Sequence, residues 1–373
     1  MSTKPNWDKL RELIPACKNY VQLNTAGRAP VSKPVVDVVA RYYQEALEHG
    51  NILWEDWLKE IEDLREIVGK AFNADKANIA FLPNSSLGLS FTAQMISNQN
   101  SSVVMSQDEF PSSSLCWLQK GFEVNFVKSK ADGSISTSDF ESTIKQNTKA
   151  LVVSHVQFKT GFRHNLEELG ELCSQKGIAF VVDCTQSVGA YRVDVKKCKI
   201  DFLVASGYKW PNAGCGTAMF YVSDNFKDSS KFPALGWRSL KNPYSMTNDK
   251  LELSEELSAV ELGHPSFVTM FSFGTGLKHN FEIGLDKIED RIKELRTYLR
   301  NKLDSTGFDI LSARDEEHSA GITIVRLNKA EEIVKNLESK KILVAKRGEG
   351  IRVSTHYYNT EAEIDLLINE LSP

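Results

Sequence analysis

The sequence predicts an α/β protein, with a large domain on a mostly parallel sheet of seven strands and a smaller α+β C-terminal domain. Two observations lead there. Between about residues 77 and 222, short apolar β-rich runs alternate with amphipathic segments, the spacing of βαβ units with helices on both faces of a sheet. Near Gly263 the texture changes to a long helical stretch followed by mixed strands and helices, as in a separate α+β unit. The length of 373 residues, at about 150 per domain, accommodates one large and one small domain. We expect the large domain at 20–262, and the small one at 263–373 with the N-terminal segment 1–19 added to it.

In chain order, the strand candidates of the large domain are Ile79–Leu82, Ser102–Met105, Glu123–Phe126, Ala150–His155, Ile178–Val182, Phe202–Ala205 and Thr217–Val222. Between two of them, leucines at 166, 169 and 172 form a helical stripe over 165–176, which Gly177 closes. A Gly, Pro, Asn and Ser-rich segment from 229 to 250 reads as a long loop. Residues 267–303 read as two helices broken near Gly284. Strands Ile322–Arg326 and Ile351–Ser354 and helices Lys329–Ser339 and Thr360–Leu371 complete the C-terminal part.

Composition narrows the function. Hydrophobic residues make up 41% and charged residues 25%, so the chain can bury a sizeable core. Forty-five basic against forty-nine acidic side chains give a net charge of −4, which argues against nucleic-acid or anionic-membrane binding by charge. Residues 1–16 carry scattered charges and no apolar signal region, and no stretch approaches the ~18 apolar residues of a membrane span. Six cysteines without C-x-x-C spacing read as reduced, mostly buried thiols of a cytoplasmic protein.

The chemistry concentrates after strands. Asp183 follows an apolar strand directly and Lys209 follows the next one, so both reach the carboxyl end of a sheet, where open α/β sheets bind ligands. A carboxylate and a lysine there suit a pyridine cofactor, the amine bonding its aldehyde and the carboxylate keeping its ring nitrogen protonated. On spacing alone, a structural Asp–Lys ion pair explains the two residues equally well. Asn84-Ser85-Ser86-Leu87-Gly88 follows a strand and opens a helix, so free N–H groups and two hydroxyls make an anion site there; a plain N-cap is the simpler reading.

Asp183-x-x-Gln186 followed by Ser206-x-Tyr208-Lys209 resembles the class V aminotransferase family of pyridoxal-phosphate enzymes. That family also holds cysteine desulfurases, C–S lyases, isopenicillin N epimerase-like proteins and kynureninase, and the resemblance runs from about residue 20 to the C-terminus. It implies the fold type I architecture of pyridoxal-phosphate-dependent transferases. It also implies pyridoxal 5′-phosphate as cofactor, with Lys209 as Schiff-base lysine, Asp183 as pyridinium partner and Gln186 as donor to the ring hydroxyl. His155, in Ser154-His155-Val156-Gln157-Phe158, matches the family's ring-stacking histidine, which can also relay a proton; Phe158 stands where desulfurases usually have Asn. Ser85, Ser86 and Ser206 would hold the phosphate. His264, in Glu261-Leu262-Gly263-His264-Pro265, stands for a Thr through which a partner subunit contributes. Arg352, in Arg352-Val353-Ser354, would hold the substrate's α-carboxylate. Asn24 and Ala26 lie in a segment similar to the loop lining the substrate side.

The resemblance further implies a homodimer, with the Leu235–Arg238 turn reaching the partner's pocket. The expected partner is otherwise an amino acid, with no nucleic acid and no membrane. Desulfurases need a cysteine upstream of the arginine, yet the chain has none after Cys215. We therefore expect an aminotransferase-type enzyme acting at the α-carbon, with a C–S lyase or an epimerase-like activity as the alternative. A retired fold serving as scaffold or sensor comes last, because Lys209 and Arg352 are both intact.

Overall fold

The computed structural model describes residues 5–96, 99–246 and 248–371, so the outermost residues of the expected terminal segments lie outside the described residues. The chain opens with α1 (Trp7–Glu12), β1 (Val21–Gln22) and two long helices, α2 (Lys33–His49) and α3 (Trp54–Phe72). Strand and helix then alternate: β2 (Ile79–Leu82), α4 (Ser85–Met95), β3 (Ser102–Ser106), α5 (Pro111–Gln119), β4 (Glu123–Val127), α6 (Thr137–Thr143), β5 (Thr148–Ser154), α7 (Leu166–Lys176) and β6 (Ala179–Asp183). Strands β7 (Phe202–Ser206) and β8 (Ala218–Val222) follow without a helix between them. Short 3-10 turns occupy the stretch before α8 (Phe267–Ile283), α9 (Leu285–Ser305), β9 (Ile322–Arg326) and α10 (Ala330–Ser339). The chain closes through β10 (Ile342–Leu343), β11 (Ala345–Arg347), β12 (Gly350–Ser354) and α11 (Glu361–Leu371).

Local chemistry sets these boundaries. The Asn165 side chain accepts from the amides of Glu167 and Glu168 and so starts α7, while Gly177 ends it at φ 65°, a left-handed position that favours glycine. Gly284, at φ 100°, separates α8 from α9.

Seven strands form one sheet in the order β2-β8-β7-β6-β5-β3-β4, parallel except for β8, which runs antiparallel to both neighbours. Strands β2, β3, β6, β7 and β8 are buried along their whole length, which explains why they read as continuous apolar runs. Alternate residues feed two cores: Val182 joins Leu64, Leu169 and Phe271 on one face, while Val181 joins Leu89, Phe91 and Trp117 on the other. Each such fully buried side chain contributes about 1.5–3 kcal/mol.

Two features of the sheet assemble the site. Leu82 and Ser206 both pair with Ala218, so β2 and β7 end side by side across β8. Gly88 in α4 lets the helix lie directly on β7, because a Cβ there would stand 2.6 Å from Val204 Cγ1. The start of α4 therefore comes to rest above Ser206, and on the neighbouring strands Ser154 pairs with Asp183 at the same edge.

At the sheet's outer edge, the Glu261 carboxylate accepts from the Phe81 amide at 2.7 Å and pairs with buried Arg65 at 2.6 Å. Helix α8 packs along α2 and α3, with Gly274 against Leu64. Strands β11, β12 and β9 form an antiparallel sheet, and β1 pairs with β10. The N-terminal segment returns to this region, where Arg11 binds Glu363 at 2.7 Å and Asn24 bridges to Ser354.

Candidate active site

The carboxyl ends of β2, β5, β6 and β7 surround a cavity lined by Ser85, Asp183, Thr185, Gln186, Ser206 and Lys209, among others. Lys209 is buried three residues beyond β7. Its amine has no hydrogen-bond or ion-pair partner among the described residues. Burial lowers its pKa to about 8; Asp183 raises it in part, and Arg352 and Arg347 lower it further. Asp183 ends β6, accepts the Thr185 amide at 2.8 Å, and is held above the usual carboxylate range by burial. The two groups sense each other's charge without closing into a direct ion pair among the described residues.

At the start of α4, Ser85 Oγ lies 3.0 Å from Thr185 Oγ1 and in contact with Ser206 Oγ. The Ser85 amide donates to Ser206 Oγ at 3.3 Å, and the Ser206 amide to Thr185 Oγ1 at 3.2 Å. Three hydroxyls at the positive end of a helix make a cradle suited to an anion. Ser86, one position on, turns outward to the rim and meets Ser112 at 2.8 Å.

Gln186 lines the cavity and is fixed at both ends, accepting from Trp210 Nε1 at 3.0 Å and donating to the Ala26 carbonyl at 2.9 Å. Its amide nitrogen carries a second N–H. Ala26 in turn donates its amide to Ser354 Oγ at 2.9 Å. His155 lies just past β5, its amide bound to the Asp183 carbonyl at 2.9 Å. Its ring packs edge-on to Tyr191, its Nδ1 is buried without a partner among the described residues, and burial holds it neutral with a pKa of about 3. The cavity wall at this point is made by its neighbours Ser154 and Phe158.

Arg352 in β12 is almost wholly buried at 1% exposure. It donates to the Phe158 carbonyl at 2.9 Å and more weakly to Asn24 Oδ1 at 3.4 Å. Among the described residues no carboxylate pairs with it, and burial lowers its pKa to about 9. His264 stands apart from this group, exposed between the rings of Trp54 and Trp237. Beside it, Glu261 is committed inward to Arg65.

The sequence reading assigned no role to four residues of the site. Thr185 completes the hydroxyl cradle; its place two residues after Asp183 was the available signal. Phe110 meets Phe158 edge to face at 5.4 Å on the cavity wall, and Tyr208 lies beside Lys209. Glu109, buried behind the wall, accepts from the Ser154 amide at 2.8 Å and from Gln157 at 2.6 Å. Among the described residues no cluster of His, Cys, Asp and Glu could hold a metal ion.

Residues 21–367 match the profile of the Aminotransferase class-V family. The chain belongs to that family. A probable cysteine desulfurase of Pyrococcus abyssi is 27% identical to it, over 98% of this chain and 96% of that one. An uncharacterized aminotransferase, YcbU, of Bacillus subtilis is 24% identical over 98% and 97%. In structure, the chain resembles the apo cysteine desulfurase of Thermococcus onnurineus with a TM-score of 0.90, at 24% identity, covering 99% of this chain and 97% of that one. The fold is thus the fold type I architecture. As a member of the class-V family, the chain is a pyridoxal-phosphate-dependent enzyme of amino acids.

The donor set fits pyridoxal phosphate. The cradle of Ser85, Thr185 and Ser206 offers a phosphate both hydroxyls and a helix start, as the chemistry of that group requires. A buried amine of lowered pKa, without a hydrogen-bond or ion-pair partner among the described residues, is a nucleophile for its aldehyde, and the buried Asp183 carboxylate on the neighbouring strand end matches a protonated ring nitrogen.

Proposed function

We propose that the enzyme acts at the α-carbon of an amino acid as an aminotransferase-type catalyst rather than as a sulfur transferase. The observation that carries this reading is the segment before Arg352. There β11 and β12 pair directly through a turn at Gly348, and no cysteine stands in it or anywhere after Cys215. A persulfide route needs an accessible thiolate near the substrate. Cys184, beside Asp183, is buried, and burial drives its thiol far above the ordinary range. Cys215 is exposed, against the expectation of a buried thiol, and stands between Gly214 and Gly216 after Lys209 rather than in the segment before Arg352.

Within this reading, Ser85, Thr185 and Ser206 hold the phosphate, with Ser86 at the rim. Asp183 holds the proton on the ring nitrogen, Gln186 turns its free N–H to the ring hydroxyl, and neutral His155 supports the ring side. When bound, pyridoxal phosphate supplies an aldehyde that takes up the amine and a ring that absorbs negative charge from Cα. Arg352 fixes the α-carboxylate, with Asn24 and Ala26 beside it, so the Cα–H bond is oriented toward Lys209. Lys209 takes the α-proton and returns it, which a pKa near neutrality allows in both directions.

We further propose a homodimer, with His264 and the Leu235–Arg238 turn at the interface. Leu235, Tyr244, Met246 and Leu251 expose large apolar side chains in this part of the surface. We assign the enzyme to the cytoplasm on its six unpaired cysteines. No helix among the described residues is long and apolar enough to cross a membrane.

The test is the visible spectrum of the protein with pyridoxal phosphate, before and after a panel of amino acids that includes cysteine, cystine and alanine. The expected result is loss of the visible band to the ultraviolet absorbance of the amine form of the cofactor, reversed by a 2-oxo acid. Release of pyruvate and sulfide with return of the visible band would replace this reading with a C–S lyase. Inversion of the amino acid alone would replace it with an epimerase.

A further inference from the structure

Arg347 and Arg352 occupy one face of the β11–β12 hairpin. Ala345 pairs with Arg352 and Arg347 with Gly350, so the two arginines are diagonal neighbours whose side chains leave the same side of the sheet. Both reach Phe158. Arg352 donates to its carbonyl at 2.9 Å, and the Arg347 guanidinium carbon lies 5.9 Å from the centre of its ring. That ring in turn lines the cavity together with Phe110, Asp183 and Lys209.

The pair is unbalanced. Arg347 donates to the neighbouring Lys346 carbonyl at 2.8 Å, and among the described residues it has no carboxylate partner. Its Nε, like that of Arg352, is buried without a hydrogen bond. Arg65, Arg296, Arg291 and Arg11 are matched by Glu261, Glu316, Glu361 and Glu363. Buried Arg300, which donates to Ser319 Oγ, and half-buried Arg238 have no carboxylate partner among the described residues. Arg347 and Arg352 are the unmatched arginines that meet at Phe158. Two like charges held close and partly desolvated oppose each other unless a ligand repays the cost. A single α-carboxylate answers only one of them.

We propose that Arg347 forms a second anion subsite, and that the pocket takes a short dicarboxylate skeleton, one carboxylate on Arg352 and the distal one on Arg347 with its carbon chain along Phe158. The assignment rests on the reading of Arg352 as the α-carboxylate anchor, and it names the substrate class of that same site. The skeleton can arrive as an acidic amino donor or as a 2-oxo dicarboxylic acceptor, since both present the same two anions.

The experiment is calorimetric titration of the cofactor-loaded protein with succinate and with butyrate, which share a four-carbon chain and differ in the second carboxylate. Succinate is expected to bind about tenfold or more tighter, with the ratio falling to about one in Arg347→Met and in Arg347→Gln. Equal affinities in the parent protein, or a ratio untouched by both substitutions, would overturn the proposal. Aspartate against asparagine with the aldehyde form of the cofactor, and 2-oxosuccinate against 2-oxobutyrate with the amine form, then assign the source by the rate of the spectral change. Where the spectrum changes, a preference for the acidic member in either pair supports the subsite, and equal rates within both pairs overturn it. Because the succinate arm reads binding alone, a protein that failed to catalyse would still report on Arg347, so the two readings fail separately.

Discussion

The Lys209 amine and the Asp183 carboxylate share one crevice and shift each other's proton affinity, yet stop short of an ion pair among the described residues. A structural pair would have closed the gap. Held apart, neither group is consumed by the other, and both face the cavity. With a pKa of about 8, about a tenth of the molecules at pH 7 carry an uncharged Lys209, roughly 300-fold more than for an ordinary lysine. The rate at which the apoprotein captures pyridoxal phosphate should therefore rise about tenfold per pH unit below 8 and level off above it. Stopped-flow absorbance checks this; a rate still climbing through pH 10 would mean an unperturbed lysine. Lys209→Ala should abolish the lysine-linked visible band.

Arg352→Ala should raise the KM for amino acids by roughly 100-fold, the cost of a charge-assisted carboxylate contact, while the affinity for pyridoxal phosphate holds. Amino-acid saturation curves and cofactor titrations separate the two effects. Loss of cofactor instead would move Arg352 out of the substrate role.

Removing one hydroxyl of the cradle, by Ser85→Ala or Thr185→Val, should weaken cofactor binding about tenfold each. Equilibrium titration followed by the visible band measures it. An unchanged affinity in both variants would relocate the phosphate.

Glu109 makes a statement about stability. Burial, opposed by hydrogen bonds from Ser154 and Gln157 and reinforced by Asp183, lifts its pKa from 4.5 to about 7. The folded state thus binds this proton more tightly than the unfolded chain, so the contribution is full below pH 4.5 and is lost as pH rises through 7. The stability of the parent protein relative to Glu109→Gln should fall by about 3 kcal/mol across that window. Urea denaturation of both proteins at pH 4.5, 6 and 8 reads the difference.

What the sequence made legible follows from how far each signal travels along the chain. Strands buried on both faces are written as local apolar runs, and all seven candidates of the large sheet appear within a residue or two of their expected ends. Asp183 and Lys209 are readable because each follows its own strand directly. Thr185 became part of the cradle through Ser85, 100 positions away, and through the Ser206 amide, and Glu109 met Ser154, 45 positions away. Such meetings depend on strand order, which no local pattern encodes. Ser86 illustrates the angular limit, since one residue along a helix turns a side chain by about 100°, and here from the cradle to the rim.

The carboxylate of Glu261 occupies the place on β2 where an eighth strand would offer its carbonyl. A side chain that answers the Phe81 amide, and is itself neutralised by Arg65, shuts that margin of the sheet to edge-to-edge association with other chains. The same residue thus guards solubility while the enzyme folds and turns over: conditions that strip Glu261 from β2 would expose a templating edge on the strand that leads into the hydroxyl cradle.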